Sequence, residues 1–229
     1  MSDTVDGPLA ATIDPPEAMA SVPGTWTIAL SGLAVPEGGV VRVQLSGGRG
    51  NPSDWARPQA SEPRSRGYVT ASCSGDASLT VSVPPPEELR GAAIDLTVTE
   101  APLAAADEVT VVLGDASEGG GGSTPQSFSQ PAKVIAVLTA EPAQAGGLSF
   151  RRVGEVTVDV LGGPMDHIRV LAPPTVPAGK QFAIALKAED VEGNVASMYQ
   201  GEFTLEITDT EILQGPETVS YTHLRAHET

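Results

Sequence analysis

The sequence is poor in cysteine and histidine, the side chains that most often carry nucleophilic catalysis and transition-metal binding. It contains one cysteine, Cys73, and three histidines, His167, His223 and His227. A single thiol excludes an intrachain disulfide, so the disulfide-stapled scaffolds of small extracellular domains do not apply. One histidine and one cysteine before residue 219 cannot supply the ligands of a zinc site, and no Ser-His-Asp triad can be assembled around His167.

Basic residues are also scarce, since 13 Lys and Arg stand against 29 Asp and Glu, for a formal net charge of −16. Nucleic-acid binding needs surplus cations to neutralise phosphates, so no nucleic-acid partner is expected. The opening stretch MSDTVDGPLAATIDPP has no cations and no apolar core of a signal peptide, and no run approaches the roughly 20 apolar residues of a membrane span. We therefore expect no membrane partner and a cytoplasmic location, with secretion left open.

Aromatic residues make up only 4 % of the chain, whereas glycine (25) and proline (20) are plentiful, which favours short strands joined by tight turns. Apolar residues alternate with polar ones in many short runs, and this period of two is typical of half-buried strands. Clear examples are Trp26-Ile28-Leu30, Val41-Val43-Leu45, Ile94-Leu96-Val98, Val109-Val111-Leu113 and Val156-Val158-Val160. The run KVIAVL (133–138) is apolar on both faces and predicts a central strand. The chain is therefore predicted to be all-β, with a flexible N-terminus over residues 1–19 and a β-sandwich over residues 20–163.

The segment LGGPMD (161–166) interrupts the alternation, because two glycines and a proline do not continue a strand comfortably. The pattern restarts with three further strands, around Ile168, Phe182 and Phe203. An immunoglobulin-like sandwich takes about 100 residues, so residues 164–218 are predicted to form an incomplete immunoglobulin-like domain. Three strands leave apolar faces uncovered, and such a domain is expected to be marginally stable alone.

The last residues, VSYTHLRAHET (219–229), differ in character from the rest of the chain. Back-translated with permitted codons, this stretch resembles a transposase-based sequencing adapter read as coding sequence. His223 and His227 lie four residues apart, as in a helical metal pair, but the adapter resemblance implies that they carry no function. We interpret residues 219–229 as an artefactual tail and predict no metal site.

Residues 42–70 concentrate basic side chains in an otherwise acidic chain, with Trp55, Gln59 and Tyr68 interleaved among them. Aromatic surface beside guanidinium groups suits an anionic or carbohydrate ligand, or a docking surface for another domain. The candidate binding residues are Arg49, Trp55, Arg57, Gln59, Arg64, Arg66 and Tyr68. The alternative interpretation is a long loop that packs on its own sandwich, with its arginines paired to acids.

Two other stretches resemble ligand-binding loops but have simpler interpretations. The Gly-rich stretch GDASEGGGGSTPQSF (114–128) has neither the lysine nor the following helix of a phosphate-binding loop, so we interpret it as a flexible surface loop. The stretch EDVEGN (189–194) has acids at alternate positions, as a calcium loop does, but its glycine is misplaced and the distal glutamate is missing. We interpret it as a turn between two strands.

Three blocks of the sequence resemble successive parts of a large bacterial family of unknown function. They are DWARPQ…GYVTASCSGDASLTV, EVTVVLGDASEGGGGSTPQSF and IRVLAPPTVPAGKQFAIALKAEDVEGNVASMYQGEFTLE, and the resemblance covers most of residues 20–208. Members of that family are similar to metal-dependent hydrolases of the polymerase-and-histidinol-phosphatase (PHP-like) type. In them, β-sandwich segments precede a catalytic domain rich in His and Asp. The third block also resembles a general bacterial immunoglobulin-like module.

The resemblance implies no catalytic residue and no cofactor within this chain. The family's metal-binding strand is of the GDLHxH type, whereas no histidine follows LGDAS (113–117). What it implies is a non-catalytic, N-terminal accessory or scaffold region. The divalent metal would lie in a downstream domain of the same chain, and that domain is the expected partner. The alternative is a carbohydrate- or protein-binding β-sandwich module that uses Trp55, Tyr68 and the arginines.

Overall fold

A computed structural model describes residues 9–45, 54–85, 92–142, 147–177, 179–180, 182–204 and 218–220. The chain divides into two compact units, Met1–Val160 (unit 1) and Leu161–Thr229 (unit 2). The sequence placed this boundary slightly later, at Gly163. Every regular element of the described residues is a strand and none is a helix, so the all-β prediction is confirmed.

Ten strands begin in unit 1. They are β1 (Ala10–Asp14), β2 (Glu17–Met19), β3 (Trp26–Ser31), β4 (Val40–Gln44), β5 (Val69–Cys73), β6 (Ser78–Ser82), β7 (Ala93–Thr99), β8 (Glu108–Leu113), β9 (Gln130–Ala140) and β10 (Arg151–Leu161). The first sheet has the order β1-β3-β8-β5 with antiparallel pairing throughout. In β3, Trp26, Ile28 and Leu30 are buried whereas Thr27 and Ala29 are only half-buried. This alternation places one face of the sheet in the core, as the sequence predicts.

The second sheet has the order β2-β10-β9-β4-β7-β6. Strand β9 is bonded to β10 on one side and β4 on the other, which confirms the central strand predicted for residues 133–138. Ile135 and Val137 are fully buried, but Val134 is 42 % exposed. Only one face of β9 therefore lies in the core, although its sequence is apolar on both.

The two sheets of unit 1 contribute their apolar faces to one continuous core. From the first sheet come Ile28, Leu30, Val109, Val111 and Leu113, and from the second Val41, Val43, Ile94, Leu96, Ile135, Val137, Val156, Val158 and Val160. Nearly all of these side chains are excluded from solvent. Two sheets that share one apolar layer form a β-sandwich, and burial of that layer is the main stabilising contribution to the unit.

The N-terminal segment differs from its prediction, because residues 10–19 form β1 and β2 rather than part of a flexible terminus. Strand β1 pairs with β3 in the first sheet, and β2 lies beside β10 in the second, with a cis Asp14–Pro15 peptide between the two strands. Each strand buries only one side chain, Ile13 in β1 and Ala18 in β2. Strands this short show no repeated alternation, so the sequence pattern does not reveal them.

Unit 2 contains the strands β11 (His167–Leu171), β12 (Ala185–Glu189), β13 (Glu202–Thr204) and β14 (Thr218–Ser220). Strand β11 pairs with β12, and β13 pairs with β14, both antiparallel. The register of β11 and β12 places charged side chains on one face of the ribbon and apolar ones, including Ile168 and Ala188, on the other. Val219 and Ser220, the first residues of the adapter-like tail, lie in β14, and residues 221–229 lie outside the described residues.

Candidate functional site

Trp55, the most prominent aromatic residue of the candidate site, lies inside the sandwich. Its side chain is 3 % exposed, and its indole meets that of Trp26 edge to face, with ring centroids 5.1 Å apart and ring planes at 75°. The Trp55 Nε1–H donates to Ser123 Oγ at 2.9 Å, and the Trp26 Nε1–H donates to the Glu17 carbonyl at 3.0 Å. Both indole N–H groups are therefore satisfied within the core, and Trp55 offers no face to a ligand.

Gln59 closes the loop that carries the arginines. Its side-chain Oε1 accepts hydrogen bonds from the backbone N–H groups of Ser61 and Glu62, at 2.9 and 2.8 Å, and its Nε2 donates to the Glu62 carbonyl. Its backbone N–H donates to the Gly67 carbonyl at 2.8 Å, and its carbonyl accepts from the Val69 N–H at 3.0 Å. Gln59 is thus a structural residue that ties both ends of the loop together.

The Gly-rich stretch after β8 packs against this loop, whereas the sequence predicted a flexible surface loop. Gly114 adopts a φ of +74°, and a Cβ there would overlap the backbone N of Ser123. A Cβ at Gly121 would lie 2.7 Å from Arg66 Cγ, well inside normal contact distance. The Gly122 carbonyl accepts from the Gly67 N–H at 2.8 Å. These glycines allow two backbones to approach closely, which is the physical requirement behind the run.

Tyr68 is half-buried and fixes the loop through its backbone. Its carbonyl accepts from the Asp115 N–H at 2.9 Å. The Asp115 carboxylate in turn accepts from the Ser117 N–H at 2.9 Å and the Thr70 hydroxyl at 2.7 Å. The bond from the Ser117 backbone, followed by that from Thr70, holds the pKa of Asp115 below its ordinary value. Asp115 is therefore an ionised structural group that stabilises the turn.

Arg57, Arg64 and Arg66 are the candidate residues that remain at the surface, and we call them the arginine rim. Arg57 lies on one arm of the loop and Arg66 on the other, joined by the hydrogen bonds of Gln59, and Arg64 lies in the turn between them. None of the three makes an ion pair with another described residue. Arg49, the remaining candidate, lies outside the described residues.

Two largely buried ion pairs of unit 1 were not predicted. Lys133 in β9 is buried, and its Nζ lies 3.2 Å from Asp54 Oδ1, which also accepts from the Trp55 N–H at 2.7 Å. Arg42 in β4 donates to Asp95 in β7 through Nε and Nη2, at 2.6 and 2.7 Å. The register of β4 and β7 places these two residues directly opposite each other. A sequence signal existed only for the second pair, since each is the charged residue at the centre of an apolar strand.

The turn predicted at residues 189–194 in unit 2 is confirmed. The Asp190 N–H donates to the Asn194 carbonyl, and Gly193 adopts a φ of +86°. The Asp190 carboxylate accepts four hydrogen bonds, from the N–H groups of Gly163, Glu192 and Asn194 and from Asn194 Nδ2. Burial raises the pKa of Asp190, but these bonds lower it by more, so the net pKa lies below its ordinary value. With both oxygens engaged, Asp190 is not available as a calcium ligand.

Glu189, the neighbouring buried carboxylate, is surrounded by basic side chains of the β11–β12 ribbon. Lys187 Nζ and Arg169 Nε each lie 2.7 Å from it, and His167 Nε2 lies at 3.4 Å. The hydrogen bond from Lys187 lowers the pKa of Glu189; burial opposes this, and the charge of Arg169 reinforces it. This cluster forms the charged face of the ribbon, where one acid neutralises part of the local positive charge.

Two further features of the described ranges bear on function. No group of three or more His, Cys, Asp and Glu side chains in these ranges is arranged to hold a metal ion. Nor do these ranges contain a helix that is long and apolar enough to span a membrane. His223 and His227 lie beyond them.

The chain is similar to two uncharacterized proteins from Chlamydia. It is 29 % identical over 223 residues to one from Chlamydia muridarum and 30 % identical over 223 residues to one from Chlamydia trachomatis serovar D. Each match covers 93 % of this chain but 32 % of the relative, so the chain spans about a third of the length of the curated relatives it matches. No protein-family model matches the chain.

Proposed function

We propose that this chain is a non-catalytic accessory region of a longer protein, in which the β-sandwich serves as a scaffold for the remaining domains. The observation that carries the proposal is the role of the polar residues in the candidate site. Gln59, Asp115 and the indole N–H of Trp55 are all engaged in hydrogen bonds that hold loops of unit 1 in place. Groups satisfied in this way stabilise a fold and are not free to act on a substrate.

The length of the relatives supports the same proposal. Two proteins similar to 93 % of this chain are about three times as long as the match, so the region they share with it is combined with other sequence there.

The relation to PHP-like metal-dependent hydrolases remains a prediction from the resemblance. It assigns the divalent metal and the catalytic residues to sequence outside this chain.

The unpaired thiol of Cys73 suits a reducing compartment, and we propose a cytoplasmic location for the chain.

Unit 2 suggests where the remainder of the longer protein contacts this chain. It exposes several large apolar side chains, namely Val170 (55 %), Leu171 (50 %), Phe182 (53 %), Val191 (75 %) and Met198 (55 %). Among the described residues of unit 2, strands β11 and β12 form a two-stranded sheet, and a ribbon of that size is marginally stable in water. We infer that further sequence of the longer protein packs on these side chains and stabilises unit 2.

The alternative function, a carbohydrate-binding module, has less structural support. Sugar rings are bound by exposed aromatic faces, but Trp55 is 3 % exposed and Tyr68 is half-buried. What remains at the surface is the arginine rim, which favours an anionic partner over a neutral glycan.

The scaffold proposal is tested by an activity assay on the purified chain. The chain is incubated with p-nitrophenyl phosphate and bis(p-nitrophenyl) phosphate in the presence of Mn²⁺, Zn²⁺ or Mg²⁺, and release of p-nitrophenol is followed. We expect no release above that of the metal alone. Turnover that depends on the metal and disappears when the chain is heat-denatured would refute the non-catalytic role.

The accessory role is tested on the Chlamydia trachomatis relative at full length. Because unit 1 has its own hydrophobic core, limited proteolysis should leave the part of the relative that matches unit 1 as a stable fragment, identified by mass spectrometry. Degradation of that part together with the rest, at the same protease concentration, would show that it is not an independent structural region.

A further inference from the structure

None of the described acids forms an ion pair with a rim arginine, and three acids of the surrounding loops make other contacts. The Glu62 carboxylate accepts from the Ser65 hydroxyl at 2.7 Å, and the Asp115 carboxylate accepts from Thr70 and Ser117. Asp54, the third acid of the region, lies against Lys133. Three carboxylates within reach of the loop thus bind hydroxyl groups, backbone N–H groups or a lysine, and the rim arginines carry no counterion from the described residues.

The backbone beneath the rim is held in one conformation. Gln59 joins both arms of the loop, the Ala56 N–H donates to the Thr124 carbonyl at 2.9 Å, and the Gly67 N–H donates to the Gly122 carbonyl at 2.8 Å. The stem of Arg66 lies on the Gly121 backbone. A partner that binds here does not have to order the loop, so little binding free energy is lost to conformational entropy.

We propose that the arginine rim is a docking surface for an acidic segment of a protein partner, held through carboxylates that bind the guanidinium groups of Arg57, Arg64 and Arg66. Guanidinium groups bind carboxylates through paired hydrogen bonds, and the Arg42–Asp95 pair shows this geometry within unit 1. The net charge of −16 disfavours extended polyanions such as nucleic acid or an anionic membrane, because most of the surface repels them. A short acidic segment contacts the rim alone. This inference goes beyond the scaffold role and does not depend on it.

The proposal is tested by fluorescence anisotropy with labelled hexaglutamate as the probe and labelled hexaglutamine as the neutral control. We expect saturable binding of hexaglutamate alone, weakened when the salt is raised from about 50 to about 200 mM, because exposed charges are screened. The variant Arg57→Gln/Arg64→Gln/Arg66→Gln should bind about tenfold more weakly or worse. All three positions are exposed, so near-UV circular dichroism should show an unchanged fold.

The matched control is Arg151→Gln/Lys180→Gln, which removes two exposed cations outside the loop that make no ion pair with another described residue. It should bind hexaglutamate within about twofold of the unchanged chain, since neither side chain belongs to the arginine rim. Equal losses in both variants, or no binding of hexaglutamate, would overturn the proposal. Binding of a phosphoserine peptide or of phosphatidylserine vesicles without binding of hexaglutamate would also overturn it and assign the rim to that other class of partner. The phosphoesterase assay is separate, so the two proposals fail independently.

Discussion

The indole N–H of Trp55 donates a hydrogen bond to the hydroxyl of Ser123 across 2.9 Å, and both residues are buried. Ser123 also exchanges two backbone hydrogen bonds with Gly24, at 2.9 and 2.8 Å. The pair therefore connects the loop before β5 to the Gly-rich stretch after β8 and to the segment that enters β3. A residue that the sequence marked as a ligand contact is instead the point at which three loops of unit 1 meet.

Loss of the Ser123 hydroxyl should destabilise unit 1. Ser123→Ala leaves the Trp55 N–H buried without an acceptor, which costs about 1–3 kcal/mol of the free energy of unfolding. The measurement is urea unfolding followed by tryptophan fluorescence. Ser72→Ala, at an exposed position in β5, is the control and should change the free energy by less than about 0.5 kcal/mol. If Trp55→Phe/Ser123→Ala is no more stable than the sum of the two single changes predicts, the hydrogen bond is not the cause of the loss.

Two glycines with the same backbone conformation should respond differently to alanine. Gly114 and Gly119 have φ values of +74° and +87°, so each substitution introduces backbone strain of about 1 kcal/mol. A Cβ at Gly119 meets nothing within 4 Å, whereas at Gly114 it overlaps Ser123 and Gly24. Gly114→Ala should therefore destabilise unit 1 by several kcal/mol more than Gly119→Ala, as measured by thermal unfolding. Equal effects would mean that the Gly-rich stretch does not pack as described.

Removal of one partner from the Arg42–Asp95 ion pair should destabilise unit 1 more than removal of one partner from an exposed pair. The side chains of Arg42 and Asp95 are only 14 % and 13 % exposed, so Asp95→Ala leaves a nearly buried guanidinium without its partner, at a cost of about 3 kcal/mol. Glu155→Ala breaks a pair with Arg152 in which both side chains are about half exposed, and it should cost less than about 1 kcal/mol. Chemical denaturation of both variants compares the two pairs. A loss at Asp95 as small as that at Glu155 would contradict the role of burial.

Unit 2 should lose stability in acid because of Asp190. A carboxyl group whose pKa is lower in the folded state stabilises the fold above its ordinary pKa of 3.8, and that contribution is lost as the pH falls through the folded value. Amide resonances of Gly163, Glu192 and Asn194, which donate to this carboxylate, should shift with a midpoint below 3.8 in an NMR titration from about pH 6 to about pH 2.5. Dispersion of the unit 2 signals should decrease over the same acidic range. Asp190→Asn removes this contribution and should give a flatter dependence; a midpoint above 3.8 would contradict the hydrogen-bond arrangement.

The strands were predictable because one repeated signal specifies them. In β3, β7 and β8, apolar residues recur at every second position. They do so because successive side chains of a strand point to opposite faces of the sheet, and one face lies in the core. The same signal is absent from β1 and β2, where single buried residues, Ile13 and Ala18, leave no repeat.

The candidate site was harder to predict because composition does not reveal whether a side chain points into the core or to solvent. Trp55 and the rim arginines are neighbours in sequence, yet Trp55 points into the core and the arginines point to solvent. Trp55 packs against Trp26, and the acceptor of its indole N–H is Ser123, 68 positions away, so its burial depends on residues far from it in sequence. The Gly-rich stretch shows the same limit, since the close approach that requires Gly121 involves Arg66 on another loop. The turn at residues 189–194 was predictable because it is local: the Glu192 and Asn194 N–H groups that donate to Asp190 lie within four residues of it.

Both tryptophans of the chain, Trp26 and Trp55, belong to the single edge-to-face contact in unit 1. Intrinsic emission excited at long wavelength therefore originates from one place in the molecule. A fluorescence melting curve of this chain therefore reports the unfolding of the sandwich in unit 1 and does not report the unfolding of unit 2. A variant whose second unit is fully unfolded would appear native by that probe, and an optical label or isotope-based method is needed to observe it.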